Sequence, residues 1–187
     1  MGGDLLEPKQ LDWRNSIKCW KSHHALQLKL SGRIPSSITN CNLLAKLYLF
    51  HNQLQRELPE RLVRLHSLAQ VYLSSNMLEG HIPRELVDNC NNLTEINLSD
   101  NHFNGEIPWE LGNYSSIAII SFDQNQLTGR IPSSFGSLQQ LYLLYLNDNS
   151  LSNYIPLELG RCGQLTDLRL HINKLEDLIP PELGGLM

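Results

Sequence analysis

Apolar residues recur along this chain in the frame L-x-x-L-x-L-x-x-N-x-L, and one full copy runs from Leu93 to Phe103. The L-x-L centre alternates apolar and polar residues, which is the period of a short strand with one buried face. Six copies predict parallel strands near residues 46–49, 70–73, 95–98, 119–122, 143–146 and 167–170. The side chains that these strands are predicted to bury are Leu47, Leu49, Leu73, Leu98, Phe122, Leu146 and Leu170.

An asparagine follows each predicted strand, and the spacing between successive asparagines is 24, 25, 24, 24 and 24 residues. These residues are Asn52, Asn76, Asn101, Asn125, Asn149 and Asn173. An asparagine side chain can hydrogen-bond backbone groups at the bend after a strand. Stacked asparagines would therefore form a ladder that pairs backbone groups of neighbouring turns. Because no single copy can bury its leucine face, the copies are predicted to stack into one solenoid.

A proline preceded by isoleucine or leucine also recurs in phase. The pairs are Ile34-Pro35, Leu58-Pro59, Ile82-Pro83, Ile107-Pro108, Ile131-Pro132, Ile155-Pro156 and Ile179-Pro180. The first pair belongs to a degenerate copy with Leu28 in place of the asparagine. Since proline fixes φ near about −65° and lacks a backbone donor, we expect it to lead the chain onward without a helix.

Composition excludes several classes of function. A net charge of −4 over 187 residues gives neither a basic surface for nucleic acid nor a polybasic signal for a membrane. No apolar run approaches the roughly 18 residues of a membrane span. The sequence contains no G-x-S-x-G, phosphate-binding loop or H-E-x-x-H, and its carboxylates and histidines form no paired or ligand set. We therefore expect no enzyme activity, no cofactor and no metal.

The cysteines fall into two kinds. Cys41, Cys90 and Cys162 each stand three residues before the first leucine of the next copy, a position that other copies fill with leucine or tyrosine. We interpret these three as small apolar core residues. No C-x-x-C spacing exists, which argues against zinc. Cys19 stands outside the repeats and is the one cysteine for which oxidation is a reasonable expectation.

The run from Leu127 to Leu138, LTGRIPSSFGSL, resembles the plant-specific leucine-rich repeat, L-x-G-x-I-P-x-x-L-G-x-L. The resemblance covers about residues 26–186. It implies a leucine-rich-repeat solenoid, α/β by convention but strand-dominated. Such a solenoid is a curved right-handed superhelix, here of about seven 24-residue coils, with a parallel sheet on its concave face. In three copies another residue replaces the family's first glycine, which implies a less regular second strand there: Arg56, Asn153 and Asp177.

The two ends of the chain differ from the repeats. Residues 1–24 form a degenerate cap-like segment, in which Trp13, Cys19 and Trp20 resemble the family's N-terminal cap without its second nearby cysteine. Residues 25–187 form the repeat array, which stops in mid-repeat without a C-terminal cap. An uncapped coil exposes an apolar edge, so we expect a fragment of a longer array or a dimer through that end. The start lacks the pattern of a secretion signal and favours a partial or engineered gene product.

The strand residues between the buried leucines face outward onto the concave surface and are the candidates for ligand binding. Exposed aromatic residues and arginine are typical of binding hot spots, and the predicted ligand-binding residues are Tyr48, Phe50, Tyr72, Tyr145, Arg169 and His171. In related receptors an Arg-x-Arg pair captures a peptide's terminal carboxylate. The resemblance implies that Arg169 and His171 occupy the place of that pair, with histidine as the second residue.

Three N-x-S/T sequons could accept a glycan in a secreted protein. They begin at Asn92, Asn97 and Asn113. The frame places Asn97 on the concave surface, where a glycan would obstruct binding, and Asn113 on the turn side, which makes it the better candidate.

The repeats favour a protein- or peptide-binding module from a plant receptor-like kinase or receptor-like protein ectodomain. Its expected partners are a peptide or protein ligand and a co-receptor, and its expected location is extracellular or on the cell surface. One alternative is a secreted inhibitor of a microbial wall-degrading enzyme, similar to polygalacturonase-inhibiting proteins, although these have about ten copies and two disulfide-bonded caps. A second alternative is an engineered repeat scaffold without a natural ligand.

Overall fold

Two layers of short parallel strands build the coils in the computed structural model, which describes residues 30–59, 62, 65–84 and 92–185. The predicted cap-like segment 1–24, its boundary with the repeat array, and Cys90 lie outside the described residues. The strands of the first layer are β2 (Lys46–Tyr48), β4 (Gln70–Tyr72), β6 (Glu95–Asn97), β8 (Ile119–Ser121), β10 (Leu143–Tyr145) and β12 (Asp167–Arg169). Those of the second layer are β1 (Ser31–Gly32), β3 (Gln53–Arg56), β5 (Met77–His81), β7 (His102–Glu106), β9 (Gln126–Thr128), β11 (Ser152–Asn153) and β13 (Lys174–Leu175).

The first layer is one six-stranded parallel sheet in the order β12-β10-β8-β6-β4-β2. Equivalent residues of successive copies pair with each other, as Tyr48 does with Tyr72 and Tyr145 with Arg169. The six predicted strands are confirmed, each one residue shorter than predicted. The residue after each strand still belongs to the ladder, because the Leu49 N–H donates to the Tyr72 carbonyl at 2.8 Å.

Leucine-like residues on the inner side of this sheet form a continuous core. Six of the seven predicted core residues are buried, from Leu47 to Leu146. Leu170 is half-buried against the core, because it lies in the last described coil, where no further described coil covers it. The core therefore continues from coil to coil, as a solenoid requires.

The asparagine ladder is present in every described copy. The Asn76 amide nitrogen donates to the Leu49 carbonyl of the preceding coil and to the Leu73 carbonyl of its own coil, both at 2.9 Å. Its carbonyl oxygen accepts the Leu54 N–H at 3.0 Å. The same bonds recur at Asn101, and at 125, 149 and 173, so each asparagine joins two coils.

A short 3-10 helix follows five of the prolines, which corrects the expectation that no helix would follow them. These helices span Ser36–Asn40, Trp109–Asn113, Ser133–Ser137, Leu157–Arg161 and Pro181–Gly185. The Pro132 carbonyl accepts the Phe135 N–H at 3.1 Å, and the other four prolines make the equivalent bond. The first N–H that donates in the 3-10 turn belongs to the third residue after the proline, so the missing proline N–H removes no hydrogen bond. The φ of proline also suits the start of a helix. The helices end after five residues, so long helices are indeed absent from this side in the described coils.

The positions without the family's glycine behave differently from copy to copy. Arg56 adopts a φ of +71° and still lies in β3, which pairs with β5. Asn153 and Asp177 also adopt a positive φ, of 67° and 66°. Around them the second layer is less regular, because β11 and β13 are two residues long and form a separate two-stranded sheet. The predicted irregularity is thus present in the last coils and absent at Arg56.

Two cysteines occupy the predicted core position. Cys41 and Cys162 are buried, and desolvation raises the pKa of the Cys162 thiol. Its Sγ donates to the Phe135 carbonyl at 3.2 Å. These side chains are packing residues of the solenoid, as predicted.

Candidate ligand-binding surface

Three columns of side chains cross the outward surface of the six-stranded sheet, which we call the concave face. The first column is Lys46, Gln70, Glu95, Ile119, Leu143 and Asp167. The second column is Tyr48, Tyr72, Asn97, Ser121, Tyr145 and Arg169. The third column, just beyond the strand ends, is Phe50, Ser74, Ser99, Asp123, Asn147 and His171. The in-phase strand pairing places members of one column about 4.8 Å apart.

A hydrogen-bonded cluster lies at the first coils of this face. The Tyr48 hydroxyl donates to the Gln70 side-chain carbonyl, and the Gln70 amide donates to Glu95 at 2.8 Å. The Tyr72 hydroxyl donates to the other Glu95 oxygen. The rings of Tyr48 and Tyr72 meet edge to face with centroids 5.1 Å apart. Such pairs hold both rings in place before any ligand arrives.

The same cluster keeps both hydroxyls protonated. Desolvation and then the Glu95 hydrogen bond raise the pKa of Tyr72 above its ordinary value. Desolvation, followed by the charge of Glu95, raises the pKa of Tyr48. Both hydroxyls are therefore donors at any physiological pH.

In the middle of the concave face, the second and third columns hold small polar side chains. Ser121 is buried, and its hydroxyl donates to Asp123 at 2.7 Å. Asn97 makes the corresponding short-range contact, since its carbonyl oxygen accepts the Ser99 hydroxyl at 2.7 Å. Asn147 is buried one coil beyond Asp123. Small polar side chains of the second and third columns thus separate the rings of the first coils from that of Tyr145.

A second cluster occupies the last coils. The Tyr145 hydroxyl donates to Asp167. Arg169 donates to the two Asp167 oxygens, from Nε at 3.2 Å and from Nη2 at 2.9 Å. The guanidinium also stacks over the Tyr145 ring, 4.0 Å from its centroid. The ring, the carboxylate and the guanidinium therefore support one another.

The electrostatics of this cluster follow from these contacts. The hydrogen bonds from Arg169 and then from Tyr145 hold the pKa of the Asp167 carboxyl below its ordinary value. The hydrogen bond to Asp167 raises the pKa of Tyr145, and the same carboxylate raises the pKa of Arg169. Asp167 is therefore ionised and Arg169 is charged across the physiological pH range.

The structure places the six predicted ligand-binding residues on one face, and four of them belong to the two clusters. Tyr48 and Tyr72 belong to the first cluster, and Tyr145 and Arg169 to the second. Phe50 and His171 are exposed beyond the strand ends, and the Phe50 ring contacts the neighbouring His51 ring edge to face at 5.5 Å.

Sequence reasoning missed the two carboxylates that organise these clusters. Glu95 and Asp167 lie in the first column, one coil beyond the tyrosines that they bind. The signal was available, since in both cases an acidic residue lies 22 or 23 positions after a tyrosine of the second column.

The three sequons differ in environment. Asn92 and Asn113 are exposed, the latter at the end of the helix Trp109–Asn113. Asn97 is half-buried on the concave face, and its amide oxygen is bonded within its own sequon to Ser99. The preference for Asn113 as the acceptor stays a prediction, and Asn92 is exposed as well.

Two further features, a metal-ligating cluster and a membrane-spanning helix, bear on the kind of site that the described residues form. No group of three or more potential metal-ligating side chains lies together there. In the same residues, no helix has the length and apolar character that crossing a membrane requires.

Comparison with known proteins agrees with this architecture. The Leucine Rich Repeat family model matches residues 92–114 and 116–138. No curated protein matches the chain significantly. Among solved structures, one chain of the BIR3–SERK2 complex from Arabidopsis thaliana is 34% identical, with 70% of this chain and 69% of that chain covered and a TM-score of 0.63.

Longer receptors are similar as well. The plant peptide hormone receptor RGFR1, solved in complex with RGF2, is 37% identical over 86% of this chain, with a TM-score of 0.83. The Arabidopsis receptor kinase HAESA ectodomain, solved with an IDA peptide hormone ligand, is 36% identical over 85% of this chain, with a TM-score of 0.82. The chain spans 26% and 27% of these two receptor chains, about a quarter of each.

Proposed function

This chain belongs to the plant leucine-rich-repeat family, and from that premise we propose that it is part of a receptor ectodomain that binds an extended peptide along its concave face. The observation that favours this function most is the pair of tyrosine-centred clusters. Hydrogen bonds to Glu95 and Asp167 already fix their rings before a ligand binds. Rings held in this way offer large contact area at a low entropic cost, which favours binding.

The dimensions of the face suit a peptide. Six strands at about 4.8 Å apart give a track of roughly 24 Å, which matches about seven extended residues at roughly 3.3 Å each. Tyr72 and Tyr145 are three coils apart, and about 14 Å separates them. About four peptide residues would bridge that gap.

The relatives support the same class of ligand. Solved relatives include peptide hormone receptors in complex with their peptides, and HAESA in complex with both IDA and the co-receptor SERK1. By analogy, we propose a peptide ligand and a co-receptor for the parent protein, with the repeats outside the cell. The exposed sequons Asn92 and Asn113 fit that location, because glycans there leave the concave face open.

Alanine variants of the concave face test this function. Peptides selected on the protein from a random nine-residue library would be titrated calorimetrically. Tyr72→Ala and Tyr145→Ala should each weaken binding by about 1–3 kcal/mol, as hot-spot residues do. Arg130→Ala and Ser133→Ala, at exposed positions off this face, should change binding by less than about 0.5 kcal/mol.

Circular dichroism of each variant would check that the coils remain folded. If the Arg130 and Ser133 variants lost binding while the tyrosine variants kept it, the ligand would dock on the flank and the proposal would be wrong.

A further inference from the structure

The concave face and the bends that follow its strands together carry an excess of negative charge. A bend residue directly follows each residue of the third column. These bend residues are His51, Ser75, Asp100, Gln124, Asp148 and Ile172. The three columns and the bends contain five carboxylates and two permanent cations, which gives a net charge of −3 with histidine neutral. The carboxylates are Glu95, Asp100, Asp123, Asp148 and Asp167, and the cations are Lys46 and Arg169. A surface of this sign attracts basic ligands and repels acidic ones.

Arg169, the cation nearest the expected carboxylate-binding position, is already occupied. Its Nε and Nη2 both donate to Asp167, and its face lies on the Tyr145 ring. A peptide's terminal carboxylate would have to displace Asp167 from that edge of the guanidinium, or bind the remaining N–H donors beside the negative charge of Asp167. The pair is neutral as a unit, and nearby Asp123 adds to the negative potential at Arg169.

The carboxylates differ in how many hydrogen bonds they accept from described residues. Both Glu95 oxygens accept hydrogen bonds, from Gln70 and Tyr72. Asp123 accepts one bond, from Ser121 to Oδ1, and its Oδ2 accepts none from any described residue. Asp148 accepts one bond, to Oδ2, from the Asn147 amide at 2.7 Å.

Asn147 adds an independent observation at the same place. It lies in the third column, one coil beyond Asp123, where the alternation with buried Leu146 turns its side chain to the concave face. It is 8% exposed, yet its Oδ1 has no hydrogen-bond partner among the described residues. An unpaired buried acceptor is unfavourable, so a small turn of the Asn147 amide towards a ligand donor would be favoured.

On the premise that the concave face binds a peptide, we propose that it selects a basic one. A lysine or arginine side chain of the peptide lies against Asp123, Asn147 and Asp148, and the Asp167 carboxylate, bound to one edge of Arg169, disfavours a terminal carboxylate there. A lysine ammonium has three donors and an arginine guanidinium five. Asp123 Oδ2, Asp148 Oδ1 and Asn147 Oδ1 are three acceptors without a partner among the described residues.

The test uses nine-residue peptide libraries with lysine, glutamine or glutamate fixed at each position in turn, made with either an amide or a free carboxylate at the C-terminus. The wild-type protein should prefer lysine over glutamine at one position by about tenfold or more. Asp123→Asn, which can still accept the Ser121 bond, should remove most of that preference. Glu176→Gln, an exposed charge off the concave face, should leave it unchanged.

Asp167→Asn tests the second half of the proposal. It should increase binding of the free-carboxylate series relative to the amide series by about tenfold, because Arg169 becomes available. A wild-type protein that prefers glutamate at every position, or the free carboxylate over the amide, would overturn the proposal while leaving peptide binding intact.

A measurement without a peptide separates this inference from the proposed function. Acetylated lysine amide should shift the NMR signals of Asp123 and Asn147 in the wild-type protein. Acetate should shift the Arg169 Nε–H signal in Asp167→Asn but not in the wild type. If no library peptide binds, the proposed function fails, and these two titrations still decide the inference. Equal acetate responses in both proteins, or no response to the lysine probe, would overturn it.

Discussion

At the residue scale, the ladder asparagines are the most connected polar side chains of the fold. Asn101 is 5% exposed, and its amide donates to the carbonyls of Leu73, Leu98 and Ser99 at 3.0, 3.2 and 3.1 Å. Its carbonyl oxygen accepts the buried Leu78 N–H at 3.0 Å. One side chain thus pairs backbone groups of two coils.

Asn101→Ala should therefore destabilise the protein by about 1–3 kcal/mol, since it leaves the buried Leu78 N–H without its partner and removes one of two hydrogen bonds at each of the three carbonyls. The matched control is Asn104→Ala. The Asn104 side chain is half-buried and has no hydrogen-bond partner among the described residues, so its loss should cost less than about 0.5 kcal/mol. Denaturant unfolding would measure both changes. Equal losses at the two positions would show that the ladder is not a structural element.

The bend before each ladder asparagine places a non-glycine residue at positive φ. Half of the copies use residue types that are common in this conformation, such as Asp100 and Asp148, with φ of 53° and 55°. The last described copy has Ile172 at φ +54° and 68% exposed. A β-branched side chain is strained in this region and gains little from burial there.

Ile172→Asn should stabilise the protein by about 1 kcal/mol, because asparagine adopts the left-handed region with less strain. Gln124→Asn changes the equivalent bend, at φ 54°, and should gain less because glutamine is not β-branched. Thermal unfolding of the two variants would compare the gains. A destabilised Ile172→Asn protein would show that the isoleucine makes a contact that outweighs its strain.

At the scale of the element, glycine sets how closely the 3-10 helices stack. A Cβ added to Gly136 would lie 2.6 Å from the Glu158 Cβ and closer still to the Glu158 carbonyl oxygen of the next helix. Gly112 and Gly160 meet the next helix in the same way. The second glycine of the repeat motif is therefore a requirement of coil stacking.

Gly136→Ala should force two helices apart and cost about 1–3 kcal/mol, the usual range for overpacking. Gly163→Ala is the control, because a Cβ there would meet nothing within 4 Å, and its effect should stay within about 0.5 kcal/mol. Denaturant midpoints of the two variants decide between these outcomes. No difference between them would mean that the helices can move apart freely.

The elements also show which parts of the fold the sequence predicts. The sequence predicts the sheet because apolar and polar residues alternate along each strand. In the first copy, Leu47 and Leu49 are buried on one side and Tyr48 between them faces outward. The 3-10 helices escaped prediction because five residues are too few for a helical period to appear. The sequence also predicted an irregular second strand at Arg56, where glycine is missing. The strand is regular there because Arg56 adopts the positive φ that glycine adopts in other copies.

At the scale of the whole molecule, each coil is stabilised by its two neighbours. Leu144, Leu146 and Leu151 are fully buried, whereas the equivalent Leu168, Leu170 and Leu175 of the last described coil are half-buried. Local stability should therefore decrease from the middle of the array towards that coil.

Amide hydrogen exchange would measure this gradient. The ladder N–H of Leu98, bonded to Ser121, should exchange at least about tenfold more slowly than that of Leu151, bonded to Asn173 of the last coil. Uniform protection along the array would instead indicate that the coils unfold as one cooperative unit.

The concave face was predictable in outline at this scale. Repeat spacing alone gave the columns, because equivalent residues pair in register. It could not give the side-chain rotamers that join Tyr145, Asp167 and Arg169. Those contacts cross between columns and coils, and they pair Arg169 with a carboxylate of the chain itself.

The one 25-residue interval, between Asn76 and Asn101, has a consequence for how such a gene can change. The sheet pairs Tyr72 with Asn97 in phase across it. The additional residue lies between Pro83 and Leu93, where this copy has nine intervening residues and the copies starting at Pro108, Pro132 and Pro156 have eight. Insertions and deletions in that arc, or recombination that exchanges whole repeats, would alter coil length or number without shifting the spacing of the concave columns. The number of repeats can therefore change as this gene evolves, while equivalent concave positions of neighbouring coils stay aligned.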